Sequence, residues 1–466
     1  MKLFHLACDE NICEGPLFKK LLKFIFPLMI TNLLQVCYSA ADMVIVSFSK
    51  VSGALGSIGT TAAMINFIVN VYLGFSVGTN VVVARNIGAN DKEKTEKSVH
   101  TSVIIAIVFG VLGTVIGVTM SRTILSALGD QGEVLRLATT YARIYFLGSI
   151  FMSLTNYLIA ILRAKGDTKT PFYILTLTGI LNIVLNLFFV FVCDMSVEGV
   201  AIATVIANVA STVLLFLKLS REEGFCRFEL SKLKLDKTAA KEIIREGFPA
   251  GIQGALFSLS NMIIQSSVIG LNNELCAGGS DIIDGNTATH SLEGFIYTAT
   301  NSVYSAAVTF TSQHFGAKKY KRIGKVMAEC YLITGIIAIV FSMAMVIFHD
   351  PLIRIYVSSP VAVETAYIRM KIMFIPYFTL AFMEVGSGIL RGLGRSVTST
   401  TVSFIGSCVL RILWINTVFI HFHTLSSIYF SYPVSWIVTA LAHFIFSLCV
   451  RKKYMQSQQN VSSETA

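Results

Sequence analysis

Asp42 is the one acid in the first long apolar stretch of the chain, and it ends a polar stripe. Tyr38, Gln35 and Thr31 or Asn32 precede it at helical spacing, with Ser39 alongside. An ionisable side chain inside a membrane span is costly and marks a functional site by default. A carboxyl in such a place takes up a proton or holds a cation such as Na+. Similar stripes follow: Thr178, Asn182 and Asn186 at successive i,i+4 steps, then Thr204, Asn208 and Ser211, with Asn66, Asn70 and Asn156 on other spans. In the second half Gln253, Asn261 and Gln265 share one helical face. Glu293 lies on a stripe of Asn286, His290, Tyr297 and Asn301, and Glu384 stands two turns before Arg391. His290 and Glu293, at i,i+3, form a candidate proton-relay pair. The plainer reading of the amides and hydroxyls is interhelical hydrogen bonding, about 0.6 kcal/mol each.

The elements that must position these groups are apolar helices. A hydrophobic fraction of 54% with only 14% charge excludes a soluble globular domain. Twelve stretches are long enough to cross a bilayer: 19–45, 53–80, 98–121, 133–160, 170–193 and 196–219, then 241–271, 283–312, 325–348, 361–388, 397–420 and 425–450. The two sets of six are related. Ala160–Gly166 recurs as Gly388–Gly394 at an offset of 228 (391 − 163), and Asn86-Ile87-Gly88-Ala89 returns as His314-Phe315-Gly316-Ala317. Phe26-Pro27 returns as Phe248-Pro249, which makes Pro27 and Pro249 candidate hinges in the first helix of each half. Duplicated apolar halves are a common transporter design, because a site between similar lobes opens alternately to either side.

The net charge of +10 reflects topology. Most of the 37 lysines and arginines fall in loops on the side of the two termini, whereas Asp194, Glu198, Glu274, Asp281, Asp284 and Asp350 fall opposite. The positive-inside rule then makes both termini cytoplasmic, with the lipid bilayer rather than nucleic acid as the basic surface's partner. The nine cysteines show no metal spacing, and the first span has no cleavage site of a signal peptide. Gly74-Phe75-Ser76-Val77-Gly78 spells the hydrolase elbow G-x-S-x-G, but within an apolar helix it reads as close packing, as do Gly113/Gly117 and Gly247/Gly251. No nucleotide-binding or HExxH motif occurs, so energy is expected from an ion gradient.

These landmarks resemble those of the multidrug and toxic compound extrusion (MATE) family. They include Glu14-Gly15-Pro16-Leu17, Pro27 with Asp42, Arg85–Ala89, Ile161–Asp167, Gly199–Thr204, Glu293-Gly294-Phe295 and Gly386–Gly392, and they are similar to a DinF-type, MepA-like bacterial branch. The resemblance implies an all-α polytopic membrane protein, with twelve transmembrane helices as two pseudo-symmetric six-helix bundles around a central cavity. It implies a cation-coupling site of Asp42, Asn182, Asn186 and Thr204, with Asn186 where the branch often has an Asp. Asp42 is then the only titratable member, which favours H+ over Na+ as the coupling ion and leaves a Na+ at Asp42 chemically reasonable. The expected substrate-cavity residues are Gln35, Tyr38, Asn66, Asn70, Asn156, Thr178, Gln253, Asn261, Gln265, Glu293, Tyr297 and Glu384. The expected function is an antiporter, not an enzyme, that exports amphipathic, often cationic drug-like molecules by alternating access, as a monomer in the bacterial cell membrane and without a cofactor. The competing reading is a flippase for a lipid-linked sugar or other lipid. It is disfavoured because mid-span basic residues are few (Arg143, Arg369, Lys371 and Arg411, near span ends). An intramembrane hydrolase built on Ser76 comes last. The expected organisation is a leader (1–18), an N-lobe (19–221), a cytoplasmic linker (222–240), a C-lobe (241–453) and a disordered tail (454–466).

Overall fold

A computed structural model of the chain describes residues 12–48, 51, 54–127, 132–222, 224, 226–275 and 280–464. Most of the expected leader, with Lys2 and Cys8, lies outside the described residues. The described residues are helical and contain no strand. In chain order the first-half helices are α1 (Leu17–Ser47), α2 (Ala54–Gly88), α3 (Lys92–Ala127), α4 (Gly132–Leu147), α5 (Ser149–Lys165), α6 (Lys169–Leu187) and α7 (Val197–Ser220). The second half has α8 (Lys237–Leu275), α9 (Asp281–Gly316), α10 (Tyr320–Ile347), α11 (His349–Arg354), α12 (Pro360–Phe374), α13 (Tyr377–Gly392), α14 (Ser396–Ser403), α15 (Leu410–Trp414) and α16 (Leu425–Glu464). Only helices or closed barrels satisfy every backbone group in hydrocarbon, so runs this apolar fold this way. Among the described residues nine helices are long and apolar enough to span a membrane, and up to eleven spans result when each bent pair is one span. The chain is a multi-pass membrane protein. The expected span 283–312 lies within α9, a helix of 36 residues that carries the stripe Asn286, His290, Glu293 and Asn301 and is not among those nine.

The duplication read in the sequence is present in the backbone. The pairs α4–α5 and α12–α13 bend by 50° and 49° at matching breaks. Helix α5 ends with Gly166 donating to Arg163 O, and α13 with Gly394 donating to Arg391 O. Both glycines have positive φ, 100° and 72°, the left-handed turn that ends many helices. Asn90 and Lys318, 228 positions apart (318 − 90), share φ values of 57° and 54°. Wider π-helical segments occur at Phe188–Val192 and Ile415–Phe419 in the two halves, and a further one at Phe404–Val409 in the second.

The chain forms two compact units. The first holds Ile30–Gly251, the second Cys13–Met29 and Ile252–Ala466. Helices α1 and α8 therefore each change unit, two residues after Pro27 and Pro249. Local packing explains both crossings. In the second unit Phe24 meets Phe310 edge-on at 5.5 Å. In the first, α8 lies so close to α2 that a Cβ on Gly78 would sit 2.3 Å from Ile243 O, and one on Gly74 2.3 Å from Gly251 Cα. The small-residue motifs around Ser76 and Gly247 thus serve helix contact, and Ser76 Oγ is spent on Leu73 O at 2.8 Å. One expectation needs correction: the polar stretch after Lys453 continues as helix to Glu464, its backbone amides and carbonyls paired along α16.

Candidate functional site

Within the first unit, α1, α6 and α7 bring four polar side chains into one row. Asn182 Nδ2 donates to Thr204 Oγ1 at 3.4 Å, and Asn186 Nδ2 donates to Asn182 Oδ1 at 3.3 Å. Asn186 Nδ2 also donates to Asp42 Oδ1 at 2.5 Å. The i,i+4 spacing of Asn182 and Asn186 on α6 stacks the two amides, and Thr204 Oγ1 is anchored to Val200 O of its own helix at 2.9 Å. Asn186 is fully buried and Asp42 half-buried. Asn186 Oδ1 is a buried acceptor that receives no hydrogen bond among the described residues. Just beyond Asp42, Ile45 and Val46 pack in an apolar cluster with Tyr141, Val190 and Val200. The row therefore has one carboxyl oxygen pair, amide and hydroxyl oxygens beside it and an apolar wall. Chemically it suits a proton on the carboxyl or a small hard cation among oxygens.

The other expected residues of this unit sit around that row in different roles. Thr178 is buried, donates to Ile174 O and accepts from Ser211 Oγ at 2.7 Å. Tyr38 reaches Thr176 O at 3.4 Å, its ring lying over Gly179, where a Cβ would meet Cε2 at 2.1 Å. Gln35, Asn66 and Asn70 are exposed. Asn156 turns its amide onto Met152 O within its own helix.

The second unit is organised around arginines. Gln253, buried on α8, accepts from Arg391 Nη2 at 2.8 Å, and Arg391 Nη1 donates to Tyr304 OH at 2.5 Å. Asn261 Oδ1 accepts from Arg411 Nη1 at 3.2 Å. Gln265 Oε1 accepts from Asn286 Nδ2 at 2.7 Å, and Asn286 Oδ1 accepts from Arg369 Nη1 at 2.7 Å. Arg369 is ion-paired with Glu293 at 2.9 Å, and His290 Nδ1 lies 3.7 Å from the same carboxylate. Glu384, 7% exposed, has no ion-pair or hydrogen-bond partner among the described residues. Tyr297 is exposed and accepts from Asn301 at 3.5 Å. Among the described residues no group of three His, Cys, Asp or Glu is placed to hold a metal ion.

Sequence reasoning missed the arginines. Arg369 and Arg411, read as lying near span ends, are 4% and 5% exposed inside the helical unit, and Arg391 is 4% exposed. The available signal was the α8 face itself: amides at 253, 261 and 265, spaced by multiples of four, need partners, and arginine supplies them.

A sequence profile of the MatE family matches residues 27–188 and 249–415, once in each half. The probable multidrug resistance protein NorM of Thermotoga maritima is 26% identical over 400 residues, covering 84% of each chain. The probable multidrug resistance protein YoeA of Bacillus subtilis is 25% identical over 442 residues, 92% of this chain and 93% of that one. The multidrug export protein MepA of Staphylococcus aureus is 23% identical over 403 residues, 86% of this chain and 88% of its own. Among solved structures, the fold is shared with an outward-facing multidrug resistance MATE family transporter of the MOP superfamily, at a TM-score of 0.88, 21% identity and 97% and 99% coverage. A MOP superfamily transporter from Pyrococcus furiosus aligns at a TM-score of 0.89 with 21% identity, over 96% of this chain and 99% of that one.

Proposed function

The chain belongs to the MatE family of secondary transporters, which are not enzymes, and from that premise we propose a cation-coupled antiporter that exports amphipathic, often cationic compounds. The observation that carries this reading is the row Thr204–Asn182–Asn186–Asp42, a lone carboxylate among neutral oxygens inside apolar helices. The substrate class follows the relatives, which are named as multidrug resistance and multidrug export proteins. In the proposed cycle, ionised Asp42 favours the inward-open form and helps hold a cationic compound. A proton or Na+ arriving from outside neutralises the row, weakens that hold and favours release. A ligand shifts a two-state equilibrium only by its preference for one state, and charge at Asp42 supplies the preference. One carboxylate favours one proton per cycle. For Na+, Asn186 Oδ1 and Thr204 Oγ1 are the further oxygens on offer.

The same proposal assigns substrate contact to the polar residues named above in each unit, and hinge roles to Pro27 and Pro249. It places the protein in a bacterial cell membrane as a monomer with both termini cytoplasmic. Its lobes are 19–221 and 241–453, joined by the linker 222–240. Ethidium efflux from everted vesicles, with pH and Na+ gradients imposed separately, tests it. Asp42→Asn is expected to remove the gradient-driven component. An Asp42→Asn protein that keeps both efflux and its ion dependence ends the reading.

A further inference from the structure

Three buried guanidinium groups in the second unit are each capped from one face of α8. Gln253 caps Arg391, Asn261 caps Arg411, and Gln265 reaches Arg369 through Asn286. Each guanidinium also lies over a tyrosine ring: Arg391 over Tyr304, Arg411 over Tyr432 at 4.3 Å and Arg369 over Tyr429. The counter-charges are unevenly shared. Glu293 pairs with Arg369, whereas among the described residues Arg391 and Arg411 have no carboxylate within ion-pair distance. Arginine keeps its proton in proteins, and a buried charge without a counter-ion is expensive. The α8 caps are amides, which hold a guanidinium in place without cancelling its charge. A glutamate or aspartate at 253 or 261 would have cancelled it.

Arg411 is the one poised to meet a ligand. Its Nε donates to Ser435 Oγ at 2.9 Å and its Nη1 to Asn261 Oδ1, while Nη2 has no partner among the described residues. Its cap, Asn261, is exposed, and an exposed amide in mid-span belongs to a wet surface rather than to lipid. Arg411 sits in the five-residue turn Leu410–Trp414 between two π-helical segments, a local widening common at functional sites. A guanidinium with one edge fixed and one nitrogen open suits a carboxylate.

We propose that the second unit carries an anion subsite at Arg411, capped by Asn261 and Ser435, that takes the carboxylate of an exported amphipathic compound. The inference rests on the export reading and deepens it by assigning to the second unit the group that recognises the acid of a carboxylate-bearing compound. The test compares rhodamine B, which has a free carboxylate, with its ethyl ester, which does not. Binding of both dyes to the purified full-length protein in maltoside detergent is followed by fluorescence anisotropy, and export is followed in everted vesicles. Arg411→Gln is expected to lower the affinity ratio of acid to ester by about tenfold, the size of a lost hydrogen bond to a charged group. Asn261→Asp changes an exposed residue, places a carboxylate against Arg411 and should lower the same ratio, which decides the matter if Arg411→Gln does not fold. A ratio within about twofold of wild type in the folded variants overturns the subsite. If the ratio falls in the variants but vesicles export neither dye under either gradient, the export reading fails and the subsite stands. If both dyes are exported and the ratio does not move, the subsite fails and the export reading stands.

Discussion

Asn186 on α6 donates its side-chain amide to Asp42 on α1 across 2.5 Å and 144 residues of chain. The same nitrogen also serves Asn182, so a single NH2 group joins the carboxylate to the rest of the row. Among the described residues the amide oxygen on its other side receives no hydrogen bond. Asp42 is thus held by a donor that adds no charge, which leaves its ionisation free to respond to a proton or a cation.

Asn186→Asp should change which ion the protein uses. Two carboxylates at this separation do not both ionise without a cation between them. Efflux by the variant should become Na+-stimulated, with half-maximal Na+ falling by about tenfold relative to wild type at fixed pH. An unchanged Na+ titration would remove Asn186 from the ion site.

Thr204→Val separates a ligand from a brace. As a mere interhelical hydrogen bond, the Asn182–Thr204 contact contributes about 0.6 kcal/mol, so the melting temperature should barely move. As part of the ion site, its loss should weaken the ion dependence of efflux well beyond that. Equal, small effects on both would leave the hydroxyl structural.

Gly78→Ala should destabilise by about 1–3 kcal/mol, the usual cost of overpacking, because the added methyl meets Ile243 O at 2.3 Å. Gly56→Ala on the same helix is the control. Nothing lies within 4 Å of its Cβ, so its melting temperature in detergent should match or exceed wild type. Similar melts for the two variants would contradict the close α2–α8 approach.

Glu222, just past the end of α7, gives a pH signature. Burial pushes its carboxyl up, but the hydrogen bond and charge of Lys165, with Lys218 beside it, outweigh burial and hold it below the ordinary 4.5. A depressed carboxylate adds stability above its unfolded value and loses it as pH falls through the folded one. The stability gap between wild type and Glu222→Gln should therefore be full at neutral pH and close below 4.5. A gap that persists in acid would mean the pair is not a source of stability.

Much of this was legible in the residues because it is periodic. Asn182 and Asn186 lie one turn apart, so their stacking follows from helix geometry once α6 is recognised. The repeat of Arg163–Gly166 in Arg391–Gly394 predicts two helix exits of one shape, and both have it. The partners of Arg369, Arg391 and Arg411 are a different matter. Arg391 meets Gln253 across 138 positions and Arg411 meets Asn261 across 150, pairings that no local pattern encodes. The π-helical segments were equally silent, since a slip from i+4 to i+5 depends on what packs against the helix. Polarity misled once, at the end of α16. Gln456–Gln459 looks like a solvated tail, yet Gln, Lys and Met are good helix formers and extend a helix already nucleated upstream.

The sharing of α1 and α8 between the units bears on how the gene can be divided. A break anywhere in 222–236 would produce two polypeptides of six-span size, neither containing a whole unit. The upstream fragment would carry off Cys13–Met29, and the downstream one the stretch of α8 that lies against α2. Each fragment would lack a strut that only its sibling encodes, so complementation demands co-expression.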